Sequence, residues 1–151
     1  MKKCCLLVIC LLALFVAAPL ARAQSGAREG PQVVRDPDLE KDSLHNLEVA
    51  RHYFKLKKAY IAAFQRCEAI IAGNPVFSKI DEVLFMAGES SLRLAENKGK
   101  QASKVTSDKL REDARDYLSQ LVNSYPDSKF KDQALESLKP LGGPKPKDSQ
   151  P

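Results

Sequence analysis

The sequence predicts an all-α fold of tandem helical hairpins: two repeats and a C-terminal capping helix that form a short right-handed solenoid. The main observation is an internal repeat, because residues 60–75 and 111–126 share one pattern. A small residue is followed by apolar residues four and seven positions later and by a proline at the twelfth. These positions hold Ala63, Cys67, Ile70 and Pro75 in the first copy and Ala114, Leu118, Leu121 and Pro126 in the second. The pattern is typical of the second helix of a helical hairpin, and apolar residues at helical spacing precede each copy.

The first 23 residues have the pattern of a secretory signal peptide. Lys2 and Lys3 precede an apolar run over residues 4–20, and Ala21-Arg22-Ala23 supplies a small-x-small cleavage site. We therefore expect cleavage after Ala23 and a periplasmic or secreted mature protein. An uncleaved membrane anchor is the alternative, since the run is almost long enough to span a bilayer.

Removal of this segment changes the composition of the chain. Three of the four cysteines leave with it, so Cys67 alone remains and no disulfide framework is expected. Three of the 24 basic residues also leave, and the remaining 21 face 19 acidic residues. This near balance argues against a dedicated nucleic-acid-binding protein. Cys10 lies inside the apolar run and follows Ile9, so no lipid-attachment site is apparent; we expect a soluble exported chain without a transmembrane span.

The first hairpin is predicted to follow a flexible arm over residues 24–41, which is rich in Gln, Gly, Arg, Pro and Asp. Its first helix is predicted over residues 43–55, with Asp42 or Ser43 as the N-cap. The second helix is predicted over residues 60–72, ended by a left-handed residue and a proline in Gly73-Asn74-Pro75. The first helix presents apolar residues at helical spacing, namely Leu44, Leu47, Ala50, Tyr53 and Phe54.

A third helix is predicted over residues 78–95, because Ser78-Lys79-Ile80-Asp81 has the pattern of a capping box. Gly88 lies in its middle, where glycine costs about 1 kcal/mol relative to alanine. We therefore expect another helix to cross close to Gly88. Residues 96–109 contain four lysines and few apolar side chains, which predicts a mobile loop. A solvated linker is favoured over a site for an anionic partner.

The fourth helix is predicted over residues 108–124, and a last short helix is predicted to cap the repeats. Asp127-Ser128 is its expected N-cap. Four of its residues are expected to face the core: Phe130, Ala134, Leu135 and Leu138. Residues 140–151 are rich in Lys, Pro, Ser and Gln, which predicts a disordered tail.

The two copies, each the second helix of a hairpin, resemble the tetratricopeptide repeat. They lie 51 residues apart, while that repeat takes about 34 residues; the loop at residues 96–109 and a longer third helix account for the excess. More narrowly, two motifs resemble the BamD-like branch of bacterial envelope proteins. These motifs are Tyr60-x-x-Ala63-Phe64 and Tyr125-Pro126-x-Ser128-x-Phe130-x-x-x-Ala134. Residues 43–139 are thus predicted to form a tetratricopeptide-like, BamD-like domain.

This resemblance implies a non-enzymatic scaffold. Proteins of the BamD-like branch are outer-membrane-attached periplasmic lipoproteins that help a barrel-assembly machine insert β-barrel proteins. The expected function is therefore protein–protein interaction in outer-membrane protein assembly or envelope organisation, with peripheral outer-membrane association. The expected partner is a protein or peptide of the cell envelope, and no nucleic acid. An adaptor for cell-wall or division machinery is the alternative, and a small metal-dependent enzyme is a less favoured one.

Few residues could carry chemistry. His45, Glu48 and His52 share one helical face, but the two histidines would lie about 10 Å apart along the helix axis. That distance is too long for one metal ion, so we expect no metal site and no cofactor. Cys67 occupies the position that Leu118 holds in the other copy, which favours a buried structural thiol over a nucleophile.

A partner-binding groove is the best candidate site. In stacked hairpins the first helix of each pair lines one face, and the first and third helices leave a stripe beyond the residues needed for packing. In this stripe an apolar residue is flanked by opposite charges, which suits an extended or helical peptide. Its members are Leu47, Arg51, Phe54, Lys55, Glu82, Phe85, Glu89 and Arg93.

Overall fold

Five α-helices make up the part of the chain that the computed structural model describes, residues 34–147. The predicted signal peptide, its cleavage site after Ala23, and residues 24–33 and 148–151 lie outside this part. The helices are α1 (Pro37–His52), α2 (Tyr60–Gly73), α3 (Ile80–Ala95), α4 (Ser107–Ser124) and α5 (Lys131–Leu138). A π-helical turn, Tyr53–Lys57, extends α1, and a 3-10 turn, Lys139–Leu141, extends α5. No strand occurs between residues 34 and 147, and the predicted all-α class is confirmed.

Helix α1 begins six residues earlier than the sequence predicts. Asp36 is its N-cap and accepts backbone hydrogen bonds from Asp38 at 2.8 Å and Leu39 at 3.3 Å, with Pro37 at the first helical position. An acidic cap followed by proline suits a helix start, because proline lacks the N–H that would lack a partner there. The prediction of a flexible arm is therefore wrong for residues 37–41. Ser43, a predicted cap, is instead buried inside the helix.

The first hairpin closes through a left-handed residue that the sequence did not reveal. Lys58 has φ 50°, directly after the π-helical turn. The predicted left-handed residue at the end of α2 is wrong: Gly73 is the last helical residue, and Asn74 follows with φ −146°. Asn74 is buried, and its Nδ2 donates to Ser43 Oγ at 3.1 Å. This hydrogen bond ties the end of α2 to the middle of α1.

Two further residues predicted as N-caps, Ser78 and Ser128, do not cap the helices that follow them. Helix α3 begins at Ile80 without a side-chain cap, so the capping box at Ser78 is wrong. The carboxylate of Asp81 instead accepts from Ser128 Oγ at 2.6 Å, and this contact joins the start of α3 to the segment before α5. Ser128 therefore does not cap α5, which begins at Lys131 without a side-chain cap. Thr106 does cap α4, because its Oγ1 accepts from Lys109 N at 3.4 Å.

The helices pack as two hairpins and a final helix. Helix α2 packs against α1 and α3, and α4 packs against α3 and α5. The repeat residues form the core: the small and apolar positions of both copies are buried. Gly88 lies where α3 meets α4, and a Cβ there would come within 2.6 Å of Leu118 Cγ. The close helix crossing expected at this glycine is thus confirmed.

The segments outside the helices lie against the helical core. In the loop between α3 and α4, residues 96–106, Gly99 has φ 112° and a Cβ there would approach the Tyr60 ring to 2.8 Å. The predicted mobility of this loop stays a prediction. Residues 142–147, which we call the C-terminal strap, run along α4 and hydrogen-bond to it through Lys145 and the two preceding glycines. The prediction of a disordered tail is wrong for this stretch.

Candidate functional site

The face formed by α1, α3 and α5, which we call the front face, carries most of the predicted groove residues. On α3, Glu82, Phe85, Glu89 and Arg93 are spaced three, four and four residues apart, so they lie along one side of the helix. Leu47 is the exception among the predicted residues. It is fully buried in the core, because its position on α1 points toward α2 and α3, and it is not available to a partner.

A bidentate ion pair joins α1 to α3 on this face. Arg51 Nε donates to Glu82 Oε1 at 2.6 Å, and Nη2 donates to Oε2 at 2.7 Å. The side chains are 31% and 13% exposed, so water weakens the attraction only in part. The hydrogen bonds lower the pKa of Glu82 and raise that of Arg51, in each case against a smaller opposing effect of burial. The pair therefore holds two predicted site residues in fixed positions.

An aromatic stack joins α3 to the start of α5. The ring of Phe85 lies on the ring of Phe130 with centroids 5.0 Å apart and planes inclined by 17°. Both rings are partly exposed. Lys129 Nζ lies 4.9 Å from the centroid of the Phe130 ring, a cation–π geometry. Lys129 also contributes to the lowered pKa of Glu82, which places its charge near the Arg51–Glu82 pair.

A second carboxylate further along α3 is buried. Glu89 is 6% exposed, accepts from Ser137 Oγ of α5, and pairs with Arg93 Nη2 at 3.2 Å. Arg93 itself is 40% exposed. Glu89 thus anchors α5 to α3, while the guanidinium of Arg93 remains within reach of a partner.

The two remaining predicted residues lie at the end of the first hairpin. Phe54 packs edge-on against Tyr60 with ring centroids 5.3 Å apart and contacts both parts of the core. Lys55 is exposed in the π-helical turn. Phe54 therefore has mainly a packing role, and no side-chain hydrogen bond or ion pair of Lys55 joins it to the other predicted site residues within residues 34–147.

Sequence reasoning missed the contribution of α5 to this face. Phe130 and Ser137 contact Phe85 and Glu89 of the predicted stripe, and Lys129 lies over the Phe130 ring. Phe130 and Ser137 lie seven residues apart, two helical turns, and the same spacing separates Glu82 from Glu89. Had the last helix been aligned with the first helix of each hairpin and not treated as a cap, this spacing would have revealed them.

A separate cleft of about 630 Å³ lies between α2, the start of α4 and residues 101–105 of the loop. Apolar side chains from α2 and the helix ends line it, with Glu68 and Asp113 among them. Burial raises the pKa of Glu68, and the charge of Asp113 raises it further, against a hydrogen bond from Tyr117 that lowers it. Burial likewise raises the pKa of Tyr117 to about 12. No sequence pattern indicated this cleft, because residues 101–105 of the loop are far from α2 along the chain.

The histidines of α1 and the thiol of Cys67 are the remaining groups that could carry chemistry. Within residues 34–147, no group of three His, Cys, Asp or Glu side chains is arranged to hold a metal ion, and His45 and His52 are both exposed on α1. Cys67 is fully buried in the core, as predicted, and burial raises the pKa of its thiol to about 12. A thiol in this state is a poor nucleophile.

Comparison with known protein families identifies the family of the chain. Residues 47–142 match the family described as YfiO, outer membrane lipoprotein. The chain belongs to this family. The match begins within α1 and extends through α5 and the 3-10 turn, so it overlaps the predicted domain of residues 43–139 over residues 47–139. No curated protein and no solved structure is similar enough to the chain to count as a match. None of the helices between residues 34 and 147 has the length and apolar character needed to cross a membrane.

Proposed function

We propose that this protein is a non-enzymatic scaffold of the bacterial periplasm that binds a protein segment on its front face during outer-membrane protein assembly. The observation that carries the proposal is the arrangement on that face. A partly exposed Phe85–Phe130 stack lies between the Arg51–Glu82 pair on one side and the Glu89–Arg93 pair on the other. Family membership adds the setting, the outer membrane.

The geometry suits a protein segment because the apolar part of the face is an open aromatic surface. Aromatic and arginine side chains dominate the energetics of protein interfaces. The charged pairs already bond within the face, so a partner gains orientation from them more than affinity. An extended or helical segment that covers Phe85 and Phe130 and offers a carboxylate to Arg93 or Lys129 would use each of these features.

The face is also held rigid before any partner arrives. Its three helices are tied together by side chains: Arg51 to Glu82 between α1 and α3, and Glu89 to Ser137 between α3 and α5. A preformed surface loses little conformational entropy on binding, which favours affinity.

The test is a crosslinked pull-down from the native envelope with the mature protein tagged after Pro151. Recovery of barrel-assembly components is the expected result, and the intact mass of the bait should correspond to a chain that begins at Gln24. Recovery of cell-wall or division enzymes would instead assign the adaptor function, and recovery of nothing above background would overturn the proposal.

Variants then show whether the front face is the binding surface. Phe85→Ala and Arg93→Glu should each reduce partner retention, Phe85→Ala by about 30-fold, because removing a central aromatic contact costs about 2 kcal/mol or more. The matched controls are Phe64→Ala and Arg66→Glu, which make the same two changes on α2. Phe64 is also partly buried and packs edge-on against Tyr117, so its loss disturbs packing to a similar extent. Equal loss of binding in test and control variants would exclude the front face.

A further inference from the structure

One side of α4 is covered by the C-terminal strap. Glu112, Arg115, Asp116, Ser119 and Asn123 follow one another at steps of three, one, three and four residues, so they form a continuous polar stripe along the helix. Every residue of this stripe contacts the strap through a hydrogen bond or an ion pair. The stripe belongs to the second helix of its hairpin and is separate from the front face.

Most of these contacts reach the backbone of the strap. Ser119 Oγ accepts from Lys145 N at 2.8 Å, and Asn123 Nδ2 donates to Lys145 O at 2.8 Å, so the two side chains clamp both polar groups of one residue. Arg115 Nε donates to Gly143 O at 2.8 Å, and its Nη2 donates to Gly142 O at 3.2 Å. The contacts of Ser119 and Asn123 are available to any extended segment, because they involve no side chain of the strap. The contacts of Arg115 also require a glycine pair, since Gly142 and Gly143 have φ of 87° and 79°.

A single side chain of the strap is recognised by charge. The ammonium group of Lys145 contacts Asp116 Oδ1 and lies 3.9 Å from Glu112 Oε1. Its side chain is 21% exposed, although lysine is among the residues most often fully exposed. Pro144 and Pro146 flank the lysine and favour an extended backbone on both sides. The stripe therefore has a backbone clamp and one lysine-specific position.

The repeat explains why this surface exists. With the offset of 51 residues, Arg115, Asp116 and Ser119 of α4 correspond to Phe64, Gln65 and Glu68 of α2. On α2 these positions face the next hairpin, because Phe64 packs on Tyr117 and Glu68 lies near Asp113. On α4 the equivalent positions face the strap. The strap thus occupies the place where the second helix of a further hairpin would pack.

We propose that the polar stripe of α4 is a docking site for an extended protein segment that carries a lysine next to proline, and that the strap occupies it in cis. A partner segment of this chemistry displaces the strap and binds in its place. The prolines limit the conformations of the free segment, so little entropy is lost on docking. Because the strap is tethered, its effective concentration at the stripe is in the millimolar range, and it competes strongly with a free segment.

The experiment measures the binding of a capped, labelled Gly-Gly-Pro-Lys-Pro peptide to the full mature chain by fluorescence anisotropy. Lys145→Ala weakens docking of the strap and should expose the stripe, so this variant should bind the peptide at least about tenfold more tightly than the wild type. Adding Asp116→Ala to that variant should remove the gain, and a peptide with alanine in place of lysine should bind more weakly than the lysine peptide. No binding by the Lys145→Ala chain, with its helical circular dichroism intact, would overturn the proposal.

A second measurement covers the case in which Lys145→Ala perturbs the fold. Millimolar peptide added to the wild-type chain should shift the amide resonance of Lys145 toward the value of a free segment, as the strap is displaced. An unchanged Lys145 resonance would overturn the proposal. Sedimentation that shows a dimer through exchanged straps, without peptide binding to the monomer, would assign the stripe to a second copy and likewise overturn it.

Discussion

Replacing Gly88 with alanine should destabilise this protein, although the same change in an uncrowded helix is stabilising. A Cβ at this position would lie 2.6 Å from Leu118 Cγ and 2.8 Å from its Cδ2. Leu118 is fully buried. The carbonyl oxygen of Ala114 lies 3.3 Å from the same point, so α4 would have to move away from α3.

The size of the effect follows from two opposing contributions. Alanine gains about 1 kcal/mol over glycine in a helix interior. Overpacking of a filled core costs typically about 1–3 kcal/mol, and contacts below 3 Å place this site in the upper half of that range. We therefore expect Gly88→Ala to lower the free energy of unfolding by about 1–2 kcal/mol, measured by urea denaturation followed at the helical circular dichroism band.

Gly73→Ala is the matched control. Gly73 is the last residue of α2, its φ is not positive, and a Cβ there would meet no atom within 4 Å. Its replacement should leave stability unchanged or raise it by up to about 1 kcal/mol, because alanine restricts the unfolded chain. Comparing the stability changes of Gly88→Ala and Gly73→Ala thus separates the effect of steric crowding from that of helix propensity.

A double mutant locates the clash. Leu118→Ala alone should cost about 2–5 kcal/mol, as a cavity forms in the core. Combined with Gly88→Ala, it should cost less than the sum of the two single changes by about 1–3 kcal/mol, because the new methyl group enters the space that Leu118 leaves. If Gly88→Ala proved as stable as Gly73→Ala, the close crossing of α3 and α4 would be refuted.

Two further predictions concern the ionisable groups. Glu82→Gln should lower the free energy of unfolding at pH 7 by about 1–2 kcal/mol through the loss of its charged hydrogen bonds to Arg51. Because the pKa of Glu82 is lowered in the folded state, the stability difference between wild type and variant is fully present above the unfolded pKa near 4.3. It should vanish as the pH falls through the folded pKa. Urea titrations from pH 7 to 3 measure this, and a stability difference independent of pH would contradict it. The thiol of Cys67 is buried, and its pKa is raised to about 12. It should therefore react with a thiol reagent at pH 8 only as fast as the protein unfolds. A fast reaction without urea would contradict this burial.

The core could be predicted from the sequence because it is periodic. The small and apolar positions of the repeat, together with Gly88, required only helical spacing and one proline stop per copy. Their burial confirms that reasoning residue by residue. The same reasoning predicted both ends of the second helix of each hairpin to within one residue.

The caps and the chain ends could not be predicted in the same way. Ser43 and Ser78 both have the chemistry of an N-cap, but Ser43 serves a buried hydrogen bond with Asn74, and Asp36 with its following proline starts α1 instead. A polar residue near a helix start fits either role, and only tertiary contacts decide between them. The strap was missed for a related reason: its contacts use backbone groups, which leave no pattern in the sequence.

The front-face residues illustrate why a binding surface is harder to infer than a core. The sequence placed Arg51, Glu82 and Glu89 in a groove as charges available to a partner. In the structure each bonds to a neighbouring helix, so these side chains align α1, α3 and α5 before they can serve recognition. Helical spacing shows which residues share a face, whereas the partners within that face depend on the neighbouring helix.

The two second helices show how one repeat yields two different surfaces. The core positions of α2 and α4 are equivalent and buried in both, which fixes the same outward stripe on each helix. On α2 this stripe carries Ile61 and Phe64 and lines the apolar cleft closed by the loop. On α4 the same positions carry Glu112 and Arg115 and hold the strap. Core packing restricts the identity of the buried residues but not that of the residues on the outward stripe. Repeats of one fold can therefore acquire different partners through this stripe.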